Sequence, residues 1–485
     1  MSAPPPQSSP RTPPKNARVL FITADQQRRD SLPVYGLDFV QAPNLERVAR
    51  EGAAFDRAYT SAPLCQPARA AILTGLQPHV HGVLDNHVWF TPPVRSWVPD
   101  VTAAGYRTAA IGKMHFYPWD DPHGFEDRIS AEDKRHYYRR DDYTLWLEAQ
   151  GQERIHPPSM PGYHEGMGAT ASNLPETLHL DTYIGDRGAE WLRANANEPF
   201  FAWVSFNSPH DPYDPPAELA DLYQDAPIPE PWGSVEDLQT RPADQRKAFN
   251  GTLSNPLFQV DYSTLTPEQI RRIRAYYYAE ITHVDRQVGK LLAALEEAGV
   301  LDETLIIFSS DHGDALGDHG LIFKNYFYES MVRVPLLARG PGVTAGGRST
   351  ALVDTTDIAA TILTHLGLPL PSPCQSRPLQ PVLADPALTF RDAVFSYVDD
   401  RAMVRTDGWK LAQYGDGDGE LYDMVNDPTE LRNLYHDSEY QTVRAELIAR
   451  LATEAVNGYG VRSRLNRCPP DQERARAFEE IAARA

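Results

Sequence analysis

Leu64-Cys65-Gln66-Pro67-Ala68-Arg69-Ala70-Ala71-Ile72-Leu73-Thr74-Gly75 reads as a short helix with a cysteine at its mouth. Pro67 suits a first helical turn, where its missing N–H would find no intrahelical partner. Ala68 to Leu73 form helix readily, and Gly75 can close it. The free N–H groups of the first turn then point towards Cys65, and the helix dipole favours an anion beside it. Arg69 follows four residues later. A cysteine at a helix start is ordinarily a small buried apolar residue. This setting also suits a reactive sulfur, or a derivative of it, bound against a tetrahedral anion.

Around this stretch lie apolar runs of strand length, each ending in polar residues. Val19-Leu20-Phe21-Ile22-Thr23 leads to Asp25 and Gln26. Such a run suits a fully buried strand of a doubly wound sheet, whose C-terminal end is where these sheets place ligands. Thr108-Ala109-Ala110-Ile111-Gly112 delivers Lys113 and His115, which as residues two apart in a strand would share one face. Phe200 to Phe206 leads to Pro209-His210, and Leu305 to Ser310 leads to Asp311-His312. Helical runs alternate with these strands, so the fold class is α/β.

Cys65-x-Pro67-x-Arg69 followed by Ala-x-x-Leu-Thr-Gly resembles the first signature of the sulfatase family. Gly105-Tyr-Arg-Thr-Ala-Ala-Ile-Gly-Lys-Met-His115 resembles the second, in the right order and at the usual distance. The chain is identified as sulfatase-like, within the alkaline phosphatase superfamily, nearest to the branch of choline sulfatases and phosphonate monoester hydrolases. The resemblance implies a large, mixed, mostly parallel sheet flanked by helices, and a smaller C-terminal antiparallel sheet. It implies that Cys65 is oxidised after synthesis to formylglycine by a formylglycine-generating enzyme. A divalent metal would be held by Asp25, Gln26, the modified Cys65, Asp311 and His312. Ca²⁺ is the family habit, with Mn²⁺ and Mg²⁺ as alternatives because an imidazole ligand softens the site. Gln26 stands where most relatives carry a second acid, and its amide oxygen still suits a hard cation.

By the same resemblance, Arg69, Lys113 and Lys324 steady the nucleophile and the anion. His115 takes a proton, His210 protonates the leaving oxygen, and Asn86 contacts substrate. The expected reaction is hydrolysis of a small sulfate ester to an alcohol and inorganic sulfate. Phosphonate monoester or phosphodiester hydrolysis on the same fold is one alternative, and the phosphonate branch carries uncharged polar groups in place of Lys113 and His115. A non-catalytic binding protein is the other.

The chain has 46 basic and 66 acidic residues, a net charge of −20, and no basic cluster. That argues against nucleic-acid binding. It would also repel a highly sulfated polymer unless the mouth of the site is locally positive, which favours small monoanionic substrates. Three cysteines are too few and too scattered for a disulfide framework. No apolar run is long enough to span a membrane, and the start lacks the regions of a signal peptide, so a cytoplasmic protein is expected.

Residues 1–16 read as a Pro-rich disordered tail, 17–375 as the catalytic domain, and 376–485 as a C-terminal α+β subdomain with a terminal helix. A charged helix from Asp471 onwards could pack on a second subunit in a homo-oligomer. Thr266-Pro267 opens a long helix closed by Gly299, in which the tyrosines at 276–278 serve packing. Val332 to Leu337 reads as a strand. His79 and His81 read as surface or loop histidines, and Asp314 and His319 as residues behind the site or in a loop. The polar, aromatic stretch 119–180 suits a substrate-covering loop or an interface.

Overall fold

A computed structural model describes residues 17–234, 240–247 and 259–465. The expected N-terminal tail and the helix from Asp471 lie outside the described residues. Strands β1 (Arg18–Ala24), β2 (Ala53–Tyr59), β3 (Arg107–Gly112), β4 (Asp127–Ser130), β5 (Phe200–Ser205), β6 (Thr304–Ser310), β7 (Leu336–Arg339) and β8 (Gly347–Asp354) form one sheet. Their order is β4-β3-β5-β1-β6-β7-β2-β8, and β7 is the antiparallel member. A second sheet of β9 (Ala393–Val398), β10 (Arg401–Thr406), β11 (Trp409–Gln413) and β12 (Gly419–Asp423) is wholly antiparallel. The mixed, mostly parallel sheet with a smaller antiparallel one is the architecture expected from the sequence.

The central strand shows why the sheet is buried on both faces. Leu20, Ile22 and Ala24 enter one core, with the helices Leu180–Asn195 and Pro267–Glu297. Val19 and Phe21 enter the other, with Ile72 and Leu73 of helix Cys65–Thr74 and Ile358 and Ile362 of helix Asp357–His365. Each such side chain contributes about 1.5–3 kcal/mol on full burial. The long helix opens with a reciprocal cap: the Thr266 hydroxyl accepts from the Gln269 N–H at 3.2 Å, and the Gln269 side chain accepts from the Thr266 N–H at 2.9 Å. No helix among the described residues is long and apolar enough to cross a membrane.

Three local expectations change. The strand read at Val332–Leu337 is a short helix, Glu329–Val332, followed by β7 from Leu336. Arg333 makes a single antiparallel bridge to Tyr59, and Pro335, with no N–H to give a ladder, separates it from β7. β3 ends at Gly112, with φ 94°, and His115 itself has φ 57°. Lys113 and His115 therefore do not share a strand face. His79 and His81 lie on the short helix Pro78–His81 rather than in an exposed loop. His81 is buried, and its Nδ1 accepts from the Val83 N–H at 3.1 Å. His319, expected behind the site or in a loop, lies in the short turn Asp318–Gly320, buried and stacked on Tyr328 with ring centroids 4.0 Å apart.

Candidate active site

The parallel strands β1, β3, β5 and β6 all deliver polar residues from their C-terminal ends. Asp25 and Gln26 follow β1, Lys113 follows β3, His210 lies in the loop after β5, and Asp311 and His312 follow β6. Helix Cys65–Thr74 enters from the side, with Cys65 as its first residue and Gly75 closing it at φ 67°. Every one of these side chains is buried.

Arg69 is fully buried and braces the acids from behind. Its Nε donates to Asp311 Oδ2 at 2.8 Å, and its guanidinium also reaches Asp25 Oδ2 at 3.1 Å. Its remaining donors meet the Lys113 carbonyl at 2.6 Å and Ser205 Oγ at 2.9 Å. Lys113 Nζ sits between Asp25 Oδ2 at 2.7 Å and Asp133 Oδ2 at 2.8 Å. Burial alone would raise the Asp25 carboxyl, but Lys113, Arg69 and Lys324 outweigh it and hold the group well below the usual carboxylate range.

Asp25, Cys65, Asp311 and His312 offer ligand atoms that all lie within 4.8 Å of one another. His312 Nδ1 meets the Gly313 carbonyl at 2.9 Å, so Nδ1 carries the hydrogen and Nε2 faces the cluster. Arg69 takes Oδ2 of both acids and their Oδ1 atoms face the cluster, that of Asp311 also accepting from the Gln26 and His312 N–H groups at 3.1 and 3.0 Å. Two carboxylates and an oriented imidazole fit a divalent cation. Gln26 has φ 66°, a backbone state that costs a non-glycine residue about 1–3 kcal/mol. The Tyr277 hydroxyl secures this turn, donating to the Gln26 carbonyl at 2.8 Å while it accepts from the Arg28 N–H at 2.8 Å. The Gln26 amide donates to Asp314 Oδ2 at 2.5 Å, so Asp314 lies behind the site as expected. Gln26 Oε1 accepts from Lys324 Nζ at 2.5 Å.

The Cys65 sulfur stands where an oxygen of a formylglycine, borne on the former Cβ, would be. It lies 3.1 Å from His312 Nε2 and 3.3 Å from Lys324 Nζ. Burial and Asp25 raise its thiol, while Lys324, His312 and Lys113 together draw it well below the ordinary value. Lys324 also meets His210 Nε2 at 2.7 Å, and Arg135 approaches the same nitrogen at 3.1 Å. His210 Nδ1 donates to the Asp211 carbonyl at 2.7 Å. Burial, then Lys324, Lys113 and Arg135, push His210 well below its usual range, so its Nε2 is an unprotonated acceptor for two cations.

The remaining two sequence candidates lie at the edge. Asn86 Oδ1 accepts from the Gln66 N–H at 2.9 Å, so it caps the cysteine's helix from twenty residues downstream. That oxygen is therefore engaged by the backbone. His115 is held down to about 3, first by burial and then by Lys113, and its buried Nδ1 has no hydrogen-bond partner among the described residues. Both residues line a cavity of about 430 Å³ beside the cluster. Sequence reasoning missed Asp133, Arg135 and Ser205. The charged run Glu132-Asp-Lys-Arg135 was a signal of sorts, but one that a solvated loop would also give.

Buried cation-ready acids, a sulfur at a helix start and flanking lysines, all at the C-terminal edge of a parallel sheet, define a hydrolase of the metal-assisted α/β class. A family model described as Sulfatase matches residues 17–368, and one described as N-sulphoglucosamine sulphohydrolase, C-terminal, matches residues 317–457. The chain is 30% identical over 470 residues to an arylsulfatase of Clostridium perfringens, covering 91% of this chain and 94% of that one. It is 32% identical over 455 residues to a choline-sulfatase of Rhizobium meliloti, covering 89% and 85%. The crystal structure of a phosphonate monoester hydrolase of Agrobacterium radiobacter matches with TM-score 0.80 at 27% identity, covering 91% of this chain and 96% of that one. The chain belongs to the sulfatase family and is a sulfuric ester hydrolase.

Proposed function

We propose that this chain hydrolyses small sulfate esters with a formylglycine made from Cys65 by a formylglycine-generating enzyme, and with Ca²⁺ at the cluster of Asp25, Gln26, the modified Cys65, Asp311 and His312. The observation that carries the reading is the sulfur of Cys65, set between Lys324 and His312 at the start of a buried helix. A formylglycine there supplies an aldehyde hydrate, one hydroxyl of which attacks sulfur while the second allows sulfate to leave by C–O cleavage. A divalent cation offsets charge on the sulfuryl oxygens.

The chain's own residues supply the rest. Lys113 and Lys324 bring positive charge to the transferring group in a site from which water is excluded. Lys324 is in hydrogen-bond contact with His210. A proton passed from the Lys324 ammonium to His210 Nε2 can go on to the departing alcohol oxygen, which leaves as the neutral alcohol. His115, neutral and with Nδ1 unpartnered, takes the proton of the second hydroxyl. Arg69 keeps Asp25 and Asp311 aligned throughout.

The test is the mass of the Cys65 peptide from protein produced with a formylglycine-generating enzyme, followed by rates on aryl sulfates and on phosphonate monoesters. Conversion of thiol to aldehyde with faster turnover of sulfates supports the reading. Full turnover with an unmodified thiol would refute the nucleophile, and faster phosphonate turnover would shift the function to the alternative reaction on this fold.

A further inference from the structure

The cavity beside the cluster has a wall chemistry unlike the rest of the molecule. Gln66, Asn86, His115, Arg135, His136 and Arg139 line it together with aromatic side chains, and none of its described lining residues carries a carboxylate. In a chain with 20 more acidic than basic residues, such a wall is a local reversal of charge. It meets the condition under which the overall charge would not repel a substrate of more than one negative charge.

The polar atoms of this wall are not all satisfied internally. Arg139 Nη1, His136 Nδ1 and His115 Nδ1 are buried, and none has a hydrogen-bond partner among the described residues. Buried polar atoms left unpaired are costly, and for the Arg139 Nη1 donor an anionic ligand removes the cost. The Arg139 guanidinium lies over the Trp119 ring, 5.8 Å from its centroid. Its neighbour Arg140 is different: both its Nη atoms are held at 2.8 Å by Glu148 on the surface. The cavity adjoins the reaction centre at Arg135, which lines the cavity and touches His210 Nε2.

We infer that this cavity is a second anion subsite: the preferred substrate is a sulfate ester whose alcohol half carries a carboxylate or a further sulfate, held by Arg139 with His136 beside it. This rests on the sulfate-ester reading above and narrows its substrate class. A planar acid would take the unpaired Nη1–H of Arg139 as a charge-assisted hydrogen bond.

The test compares affinity for two stable sulfonates, benzenesulfonate and 4-sulfobenzoate, by calorimetry on the Ca²⁺-loaded protein. The same protein is assayed for turnover of phenyl sulfate and its 4-carboxylate. One charge-assisted contact gives the carboxylated member of each pair an advantage of about tenfold or more. That ratio falls to near one in Arg139→Gln, is partly kept in Arg139→Lys, and is unchanged in Arg140→Gln. Equal affinity for the two sulfonates, or a preference that survives Arg139→Gln, overturns the subsite and leaves the sulfatase reading standing. Turnover of neither ester, with no binding of either sulfonate, overturns both.

Discussion

Replacing Lys113 by Met separates the electrostatic task of this residue from its bulk. The ammonium is fully buried between Asp25 at 2.7 Å and Asp133 at 2.8 Å, so its loss leaves two carboxylates facing each other without a cation between them. Breaking a buried ion pair by removing one partner costs about 3–5 kcal/mol. Here each acid keeps one cation, Arg69 at 3.1 Å for Asp25 and Arg135 at 3.0 Å for Asp133, which points to the lower end, about 3 kcal/mol. Urea unfolding at pH 7 measures it, and turnover is lost in the same variant. The double variant Lys113→Met/Asp133→Asn removes one of the opposed charges and should recover roughly half of the lost stability without recovering turnover. The pH dependence gives a second check. Lys113 and Arg135 hold Asp133 well below the usual range against the effect of burial, so in the native protein its stabilisation is complete above the unfolded carboxyl value and is lost only as pH falls through the depressed folded value. Without Lys113 the folded value rises, the carboxyl protonates sooner, and the gap to the native protein narrows between pH 7 and about 4. A double variant no more stable than the single, with a gap that does not change with pH, would refute the electrostatic account and leave lost packing as the cause.

Chelation of divalent cations should abolish sulfate-ester turnover and lower the thermal midpoint, both returning when Ca²⁺ is restored, because a cation held only by the folded cluster of Asp25, Asp311 and His312 stabilises the native state. Asn86→Ala removes the acceptor of the Gln66 N–H at the start of the cysteine's helix and should cost about 1 kcal/mol in chemical unfolding. Asp354 is raised to about 6 by burial and then by Asp357, so its native form binds a proton that the unfolded chain has released between about pH 4 and 6. The native protein should therefore gain on Asp354→Asn by roughly 2 kcal/mol as pH falls from 7 to 4, read from paired unfolding curves.

The parts of the fold legible in the sequence are those where one local signal dominates. Val19–Thr23, Thr108–Gly112, Phe200–Phe206 and Leu305–Ser310 are apolar on both faces because helices cover both faces of the sheet, so length and composition alone mark them. The long helix was marked by a cap that the structure completes with Gln269. β2 and β8 were less visible. β2 runs through Asp56 and Arg57, and β8 begins with the half-exposed Gly347 and Arg348, as suits the end of the sheet. At Val332–Leu337 the apolar run was real, but Pro335 divides it between a helix end and a strand start.

The candidate site divides along the same line. Residues that leave the C-terminal end of a buried strand could be placed by rule, and Asp25, Lys113, His210 and Asp311 were. Glu132-Asp133-Lys134-Arg135 follows β4, the short strand at the edge of the sheet, and carries as many positive as negative charges, as a solvated loop would. The fold buries it because its charges find partners, near ones for Glu132 and Arg135 and distant ones for Asp133 and Lys134. Glu132 meets Arg128 at 2.6 Å, Asp133 meets Lys113, and Lys134 meets Asp214 at 2.7 Å as well as Glu280 of the long helix. The partners of Asp133 and Lys134 lie from 20 to 146 positions away in sequence, beyond any local window on the chain. Once buried, the run determines what the site can hold. Asp133 ties Arg135 beside His210, and Arg139 follows four residues later on the wall of the cavity. The same segment thus holds the lysine at the reaction centre and sets the charge of the cavity beside it, so a change in this segment should alter substrate choice and stability together.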